Sequence, residues 1–361
     1  MKSKYDLIIV QPIISSYRVP YFRKISQHWK TLFLSSDLNV EEGFGTSEVT
    51  DFFHNKTVTY HFFNKKLNYQ KGVLTNILKF RPVRLYIGAD SRAIAYWLSL
   101  ILCNILGIKV YSHGQGAYRK LLPNLVDKLK YRLMVLLSEK YICYTKLSME
   151  SLVALGINKK YLAVADNTLL NKCPVYNIPF EDFENKKGIL FIGRLREQVG
   201  LELLFEAIAK LNKDSNLFEL HIIGDGEFRK KLESLALTMQ GIHFHGKVFD
   251  NNVIADISRK CVLGIHAGNA GLSVVHYMSL SLVPIVHNKI HFHMGPEPSY
   301  IYNKVNGFTF EYECVDSLSS TILGAFKDKE KLYEISRSAY ATYQHLSSPD
   351  LGDKLLEIMG N

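Results

Sequence analysis

Along the first 165 residues, short continuous apolar runs alternate with stretches in which apolar residues recur every three or four positions. The runs at 6–10, 31–35, 58–63, 83–88, 109–112, 140–145 and 162–165 are mostly Ile, Leu, Val and Tyr, several without polar alternation. This is the pattern of parallel strands covered on both faces. Helical spacing fills 19–29, 72–80, 91–106, 119–138 and 147–155. Residues 169–187 show no clear period and hold two prolines, so they read as a linker. The rhythm then restarts, with strands at 188–192, 218–223, 242–245, 262–266 and 283–287 and helices between them. Residues 328–360 read as a helical tail, broken near Ser347-Ser348-Pro349. Strand–helix repetition of this kind predicts two α/β, Rossmann-like domains, 1–168 and 188–344.

Charge changes this picture by separating the halves. Residues 1–160 carry a net +14 and residues 161–361 a net −4. One half is therefore suited to something anionic: nucleic acid, a membrane surface or a phosphate-bearing substrate. The five cysteines are scattered and never spaced C-x-x-C, which argues against a disulfide framework or a structural zinc site and favours a reducing compartment. The first apolar run, Leu7-Ile8-Ile9-Val10, is too short for a signal peptide. Residues 93–108 fall short of the roughly 20 that span a bilayer and read as a buried helix. In 119–138, Leu122, Val126, Leu129, Leu133 and Leu136 form one stripe, with Lys128 and Arg132 on another face and Lys120 and Lys130 nearby. Two readings stay open: a core-facing helix with a solvated basic side, or a helix resting on anionic headgroups.

Candidate chemistry gathers at strand ends in the second half. Gly193-Arg194 follows the strand 188–192, placing backbone N–H groups and a guanidinium before a helix at 200–212, a combination suited to a diphosphate. Gly224 and Gly226 end the next strand, where glycines permit either a tight turn or close approach by a ligand. Gly264 to His276 runs from a strand through a glycine-rich turn into a helix. No G-x-G-x-x-G fingerprint is complete and no Walker-type loop occurs.

Taken in order, FIGRL, IIGDGEFRKKLE, IHFHGKV, GNAGLSVVHYM, VPIV, GPE and Val305-Asn306-Gly307-Phe308 resemble the GT-B nucleotide-sugar glycosyltransferases, most closely the family-4 retaining group of bacterial surface-polysaccharide type. PIISSYRVPYF (12–22) and Ser112-His113-Gly114-Gln115-Gly116 resemble the acceptor-side loops of the same enzymes. The resemblance implies two facing domains with a cleft, and a C-terminal helix at about 345–361 that packs back onto the first. It assigns the donor to Gly193, Arg194, Gly224, Gly226, Lys247, Val248, Gly268, Asn269, Gly271, Leu272, His276 and Glu297. It places Tyr17, Arg18 and Gly114 on the acceptor side, and His113 as the catalytic residue reaching the donor sugar.

Departures from the family pattern bear on mechanism. The lysine usual five residues after the arginine of GRL is Val199, and the E-x7-E pair falls on Gly268 and His276. Glu297 is the carboxylate placed to substitute. His287, His291, His293 and Glu297 can also be drawn as a metal site, but the resemblance implies metal-free neutralisation of the diphosphate, and hence no cofactor. The expected reaction is retaining transfer of a sugar from a nucleotide sugar (UDP or GDP) to a hydroxyl of a glycan or lipid-linked acceptor. The expected place is the cytoplasm, peripheral on the inner face of an anionic membrane. A non-catalytic subunit, an epimerase and a nucleic-acid binder are the alternatives; the last lacks any recognition motif.

Overall fold

Leu7–Val10 forms β1, and its side chains alternate between two cores: Ile8 and Val10 enter one, Leu7 and Ile9 the other. A continuous apolar run fits this position because successive strand side chains point to opposite faces. The computed structural model describes residues 4–36, 53–171, 179–213 and 218–360. It divides into unit 1 (Met1–Asn167 with Pro349–Asn361) and unit 2 (Thr168–Ser348). Cys173 and the rest of 172–178 lie outside the described residues.

In unit 1, β1 is joined by β2 (Thr31–Ser36), β3 (Phe53–Phe62), β4 (Leu67–Lys71), β5 (Arg84–Gly88), β6 (Lys109–Gly114), β7 (Lys140–Cys143) and β8 (Leu162–Val164). Their order is β4-β3-β2-β1-β5-β6-β7-β8, and every pair is parallel except β3 with β4. Helices α2 (Val73–Phe80), α3 (Ile94–Leu106), α4 (Leu125–Leu136) and α5 (Lys146–Val153) close the core that holds Ile8. Helix α1 (Val19–His28) closes the core that holds Leu7.

Two expectations for this unit are corrected. Residues 91–106 do not form a fully buried helix: α3 buries Ala95, Tyr96, Ser99, Leu100 and Cys103 but exposes Ile94, Leu98, Ile101 and Ile105. In 119–138 the helix begins only at Leu125, capped by the Asn124 side chain, which accepts from the Asp127 N–H at 2.8 Å. The expected stripe faces outward, with Leu122, before the helix, 93% and Val126, within it, 72% exposed. Met134 and Val135 face the core instead, and the buried Asp127 carboxylate holds Lys120 and Lys130 at 3.2 and 3.1 Å.

Unit 2 contains α6 (Phe180–Glu184), β9 (Gly188–Ile192), α7 (Leu201–Asn212), β10 (Glu219–Ile223), α8 (Arg229–Ala236), β11 (Ile242–Gly246), α9 (Asn251–Ser258), β12 (Cys261–His266), α10 (Ser273–Ser279), β13 (Val283–His287), β14 (Phe308–Phe310), α11 (Val315–Lys327) and α12 (Lys329–Ser347). The sheet is wholly parallel, ordered β11-β10-β9-β12-β13-β14. The segment read as a linker is partly built into this unit. Phe183 enters its core, and the Asn171 side chain donates to the Ser279 carbonyl at 2.8 Å. Pro349 lies just past the end of α12, and α13 (Leu351–Gly360) then packs Leu351, Leu355 and Met359 beside Leu7 and Ile9 of unit 1.

Candidate functional site

In each sheet the chain order reverses once, between β1 and β5 in unit 1 and between β9 and β12 in unit 2. At such a point the loops leaving the carboxyl ends diverge to opposite faces and open a crevice for ligands. The unit 2 crevice receives Gly193 and Arg194 from β9, and residues 267–271 from β12, leading into α10. Arg194, about a quarter exposed, lies 3.4 Å from the Glu227 carboxylate on the loop after β10. Glu227 is a partner that the sequence pattern did not single out.

Most amides at this edge already have protein acceptors. The N–H groups of Gly193, Leu195, Gly268 and Asn269 donate to the carbonyls of Ile223, Asp225, Val199 and Gln198 at 2.8–3.0 Å, and that of Ala270 to His293 Nδ1 at 3.1 Å. Beyond Ala270, the amides of Gly271, Leu272 and Ser273 have no such partner among the described residues. The Ser273 hydroxyl is buried there without a hydrogen bond. The donors left for an anion therefore sit at the start of α10, where the helix end itself favours negative charge.

The glycines divide into two kinds. A Cβ on Gly224 would lie 1.8 Å from the Gly193 carbonyl oxygen, one on Gly226 2.3 Å from that of Leu195, and one on Gly268 2.2 Å from that of Gln198. The close approach that these three permit is loop against loop, so they shape the crevice rather than clear a path for a ligand. Gly271 differs: its nearest neighbours would be Gly295 N at 3.5 Å and Glu297 Oε2 at 3.7 Å. Glu297 is buried, its carboxylate fitted against Gly295, which has no Cβ to block it. His276 is half-buried on α10, its pKa pushed down to about 4 by burial. Lys247 is exposed, and Val248 packs against the cluster of Leu190, Ile223 and Tyr277.

The unit 1 residues lie at the carboxyl end of β6 and in the loop after β1. His113, next to last in β6, is buried, with Nδ1 bonded to the Tyr86 hydroxyl and its ring 4.5 Å from that of Tyr144. Burial, reinforced by Arg18, holds its pKa well below the usual histidine range, so it is neutral. Its Nε2 is covered and has no well-aligned partner. Arg18 donates to the Asn167 side chain at 2.5 Å and lies over the rings of Tyr17 and Tyr144. Gly114 is required by packing, since a Cβ there would meet the Tyr141 hydroxyl at 2.6 Å. Tyr86 and Tyr144 were not anticipated; they are remote in sequence and carry no motif.

The histidine cluster near β13 does not form a metal site. His287 and His293 stack at 3.8 Å, and His293 spends both nitrogens, Nδ1 accepting from Ala270 and Nε2 meeting the His287 carbonyl at 3.0 Å. Among the described residues, the ligand-type side chains that do converge are Glu219, His221 and His243, within 4.8 Å of one another on β10 and β11. Glu219 is at the opposite end of β10 from the crevice.

Residues 178–342 match the family model of glycosyl transferases group 1. The group 1 segment spans a little under half of the chain and contains the whole unit 2 crevice. No curated protein matches the sequence. Solved structures are similar over nearly the full length. HepE of Anabaena in complex with UDP is 15% identical over 98% of this chain and 99% of its own, with a TM-score of 0.72. A glycosyltransferase from Rickettsia africae is 17% identical over 99% and 98%, at 0.67. The lipopolysaccharide outer core galactosyltransferase WaaB is 14% identical over 95% and 99%, at 0.61. These likenesses show the fold: two Rossmann-like α/β units of the GT-B type.

Proposed function

We propose that the protein transfers a glycosyl unit from a nucleotide diphosphate sugar to a hydroxyl of a glycan acceptor, retaining the anomeric configuration and using no metal. The observation that carries this reading is the unit 2 switch point within the group 1 segment, where Arg194 follows β9 while three uncommitted amides and a buried serine hydroxyl follow the neighbouring β12. A diphosphate leaving group is stabilised by donors of this kind when they are held in place before reaction. The diphosphate contacts fall to Arg194 and residues 271–273, the nucleotide to the loops at 224–226 and 247–248, and the sugar to Glu297 and His276. The HepE complexes with UDP and UDP-glucose make uridine nucleotides the first donors to test. The WaaB likeness supports a lipid-linked acceptor in bacterial surface-polysaccharide synthesis. Work on such an acceptor would place the protein in the cytoplasm, peripheral on the inner face of the membrane.

A non-catalytic role as a partner-binding subunit is the second reading. Val199 favours it, being buried where the resemblance calls for a phosphate-binding lysine. Thermal shift with UDP-, GDP- and CDP-sugars, followed by assay of donor consumption, separates the readings. One donor class should raise the melting temperature and be consumed. Stabilisation without consumption in the presence of glycan acceptors would favour the subunit, and no stabilisation by any donor would refute the transferase reading.

A further inference from the structure

The helix α4 turns its leucines to water. Leu125, Val126 and Leu136 are 82%, 72% and 71% exposed, and Leu122, in the turn before the helix, is 93% exposed, while the one acidic residue of 119–138, Asp127, is buried. Beside it, on the same face of the unit 1 sheet, α3 exposes Ile101 and Ile105 and contains no charged residue at all. The Asn104 side chain of α3 donates to the Leu137 carbonyl just past the end of α4 at 2.8 Å, so the two outward stripes are neighbours. Ile101 and Ile105 of α3 and Leu125, Val126, Leu129 and Leu136 of α4 are thus exposed apolar side chains on one face of the sheet, the kind of grouping that marks an interaction surface.

Its charge says what covers it. Arg119, Lys120, Lys128 and Arg132 border the leucines, Asp127 is turned inward against Lys120 and Lys130, and 119–138 presents no exposed carboxylate. Leucines framed by cations with no anion fit a sheet of acyl chains below phosphate headgroups, because long basic side chains reach the phosphates while the apolar side chains enter the boundary. We propose that the outer face of α3 and α4 docks on an anionic lipid surface by insertion of these side chains, with Arg119, Lys128 and Arg132 at headgroup level. Insertion, rather than charge alone, distinguishes this from a merely basic patch: part of the attachment survives salt. The inference deepens the proposed lipid-linked acceptor but stands on unit 1 alone.

The test is co-sedimentation with phosphatidylcholine–phosphatidylglycerol vesicles, at low salt and at about 0.5 M, where exposed charges are screened within a few ångströms. Wild type should bind and remain partly bound at high salt. Leu125→Glu with Leu129→Glu should reduce partitioning by at least about tenfold, since withdrawing one leucine from an apolar phase already changes a partition constant by that order. Its melting temperature should not change, because both side chains are exposed. Lys128→Gln with Arg132→Gln should weaken only the salt-sensitive part. Failure of wild type to bind, complete release by salt, or full binding by the glutamate variant overturns the proposal. So does a wild-type dimer made monomeric by those glutamates without vesicle binding, which would assign the face to a second copy. Thermal shift by UDP-sugars in the same variants reports on the donor site separately.

Discussion

Replacing glycines of the unit 2 crevice one at a time separates what builds the site from what faces its ligand. Gly224→Ala forces a Cβ to within 1.8 Å of the Gly193 carbonyl oxygen, at a φ of +144° that side chains rarely adopt. The obstacle is backbone, so the 193–195 loop must move. Overpacking of this sort costs about 1–3 kcal/mol, and the backbone strain about 1–3 more. A total near 3 kcal/mol lowers the melting temperature of a domain of this size by roughly 6–12 °C. Gly271→Ala meets nothing closer than 3.5 Å and has no positive φ, so its stability cost should stay within about 0.5 kcal/mol. Yet its methyl group stands beside the uncommitted amides and the Glu297 carboxylate. It should weaken nucleotide-sugar binding about tenfold or more while melting like wild type. Differential scanning fluorimetry and titration calorimetry on the two variants are sufficient. A Gly271→Ala protein that binds donor normally would refute the assignment of the open amides, and a Gly224→Ala protein of normal stability would refute the packing argument.

Arg194→Ala should cut donor affinity roughly tenfold to a hundredfold, the worth of a charge-assisted contact of about 1.5–3 kcal/mol. Because its pairing with Glu227 is partly exposed and 3.4 Å long, its melting temperature should move little, and unchanged affinity would remove Arg194 from the site. Glycosyl transfer should persist in EDTA; complete loss restored by a divalent ion would require a different mechanism. Burial depresses His221, His276 and His287 to a pKa of about 4, and His266 and His293 to about 3, against 6.5 when unfolded. The unfolded chain therefore takes up protons first. This stabilisation is complete above about pH 6.5 and is lost as pH falls toward 4 and 3. Melting temperatures recorded between pH 7 and 4 should fall steeply, and a flat profile would show that these rings are not buried neutral.

How much of this was legible in the sequence depends on whether a feature is local. Runs such as GILFI at 188–192 fall as strands where expected because a fully apolar pentapeptide between polar flanks has few other uses. The strand β4 was missed. Its Leu67-Asn68-Tyr69-Gln70-Lys71 is short and largely unburied, and only its antiparallel pairing with β3 defines it. Periodicity located the leucine stripe of α4 but carries no information about which way a stripe faces. That direction is set by Met134 and Val135 meeting β7 and by Asp127 gathering two lysines. The crevice glycines were visible as a motif, whereas the carbonyl oxygens that exclude a Cβ at 224, 226 and 268 belong to other loops. Arg18 was picked out without its pairing to Asn167, 149 positions away.

The placement of α13 sets an order of manufacture. A ribosome finishes residues 1–167 and then all of unit 2 before it releases the ten residues whose Leu351, Leu355 and Met359 fill the core beside β1. Domains ordinarily fold as they emerge, the earliest first. Here the earliest must wait, its apolar surface between α1 and the sheet uncovered while a second domain is made. The clasp that ends the wait is specific: Lys24 to Asp350 and Asp353, Lys354 to Asp166, and the Arg84 guanidinium to the Met359 carbonyl. A chain cut short anywhere between residues 168 and 348 thus lacks Leu351, Leu355 and Met359 of the core beside β1, so a truncation late in the chain is expected to destabilise the part of the protein that is translated first.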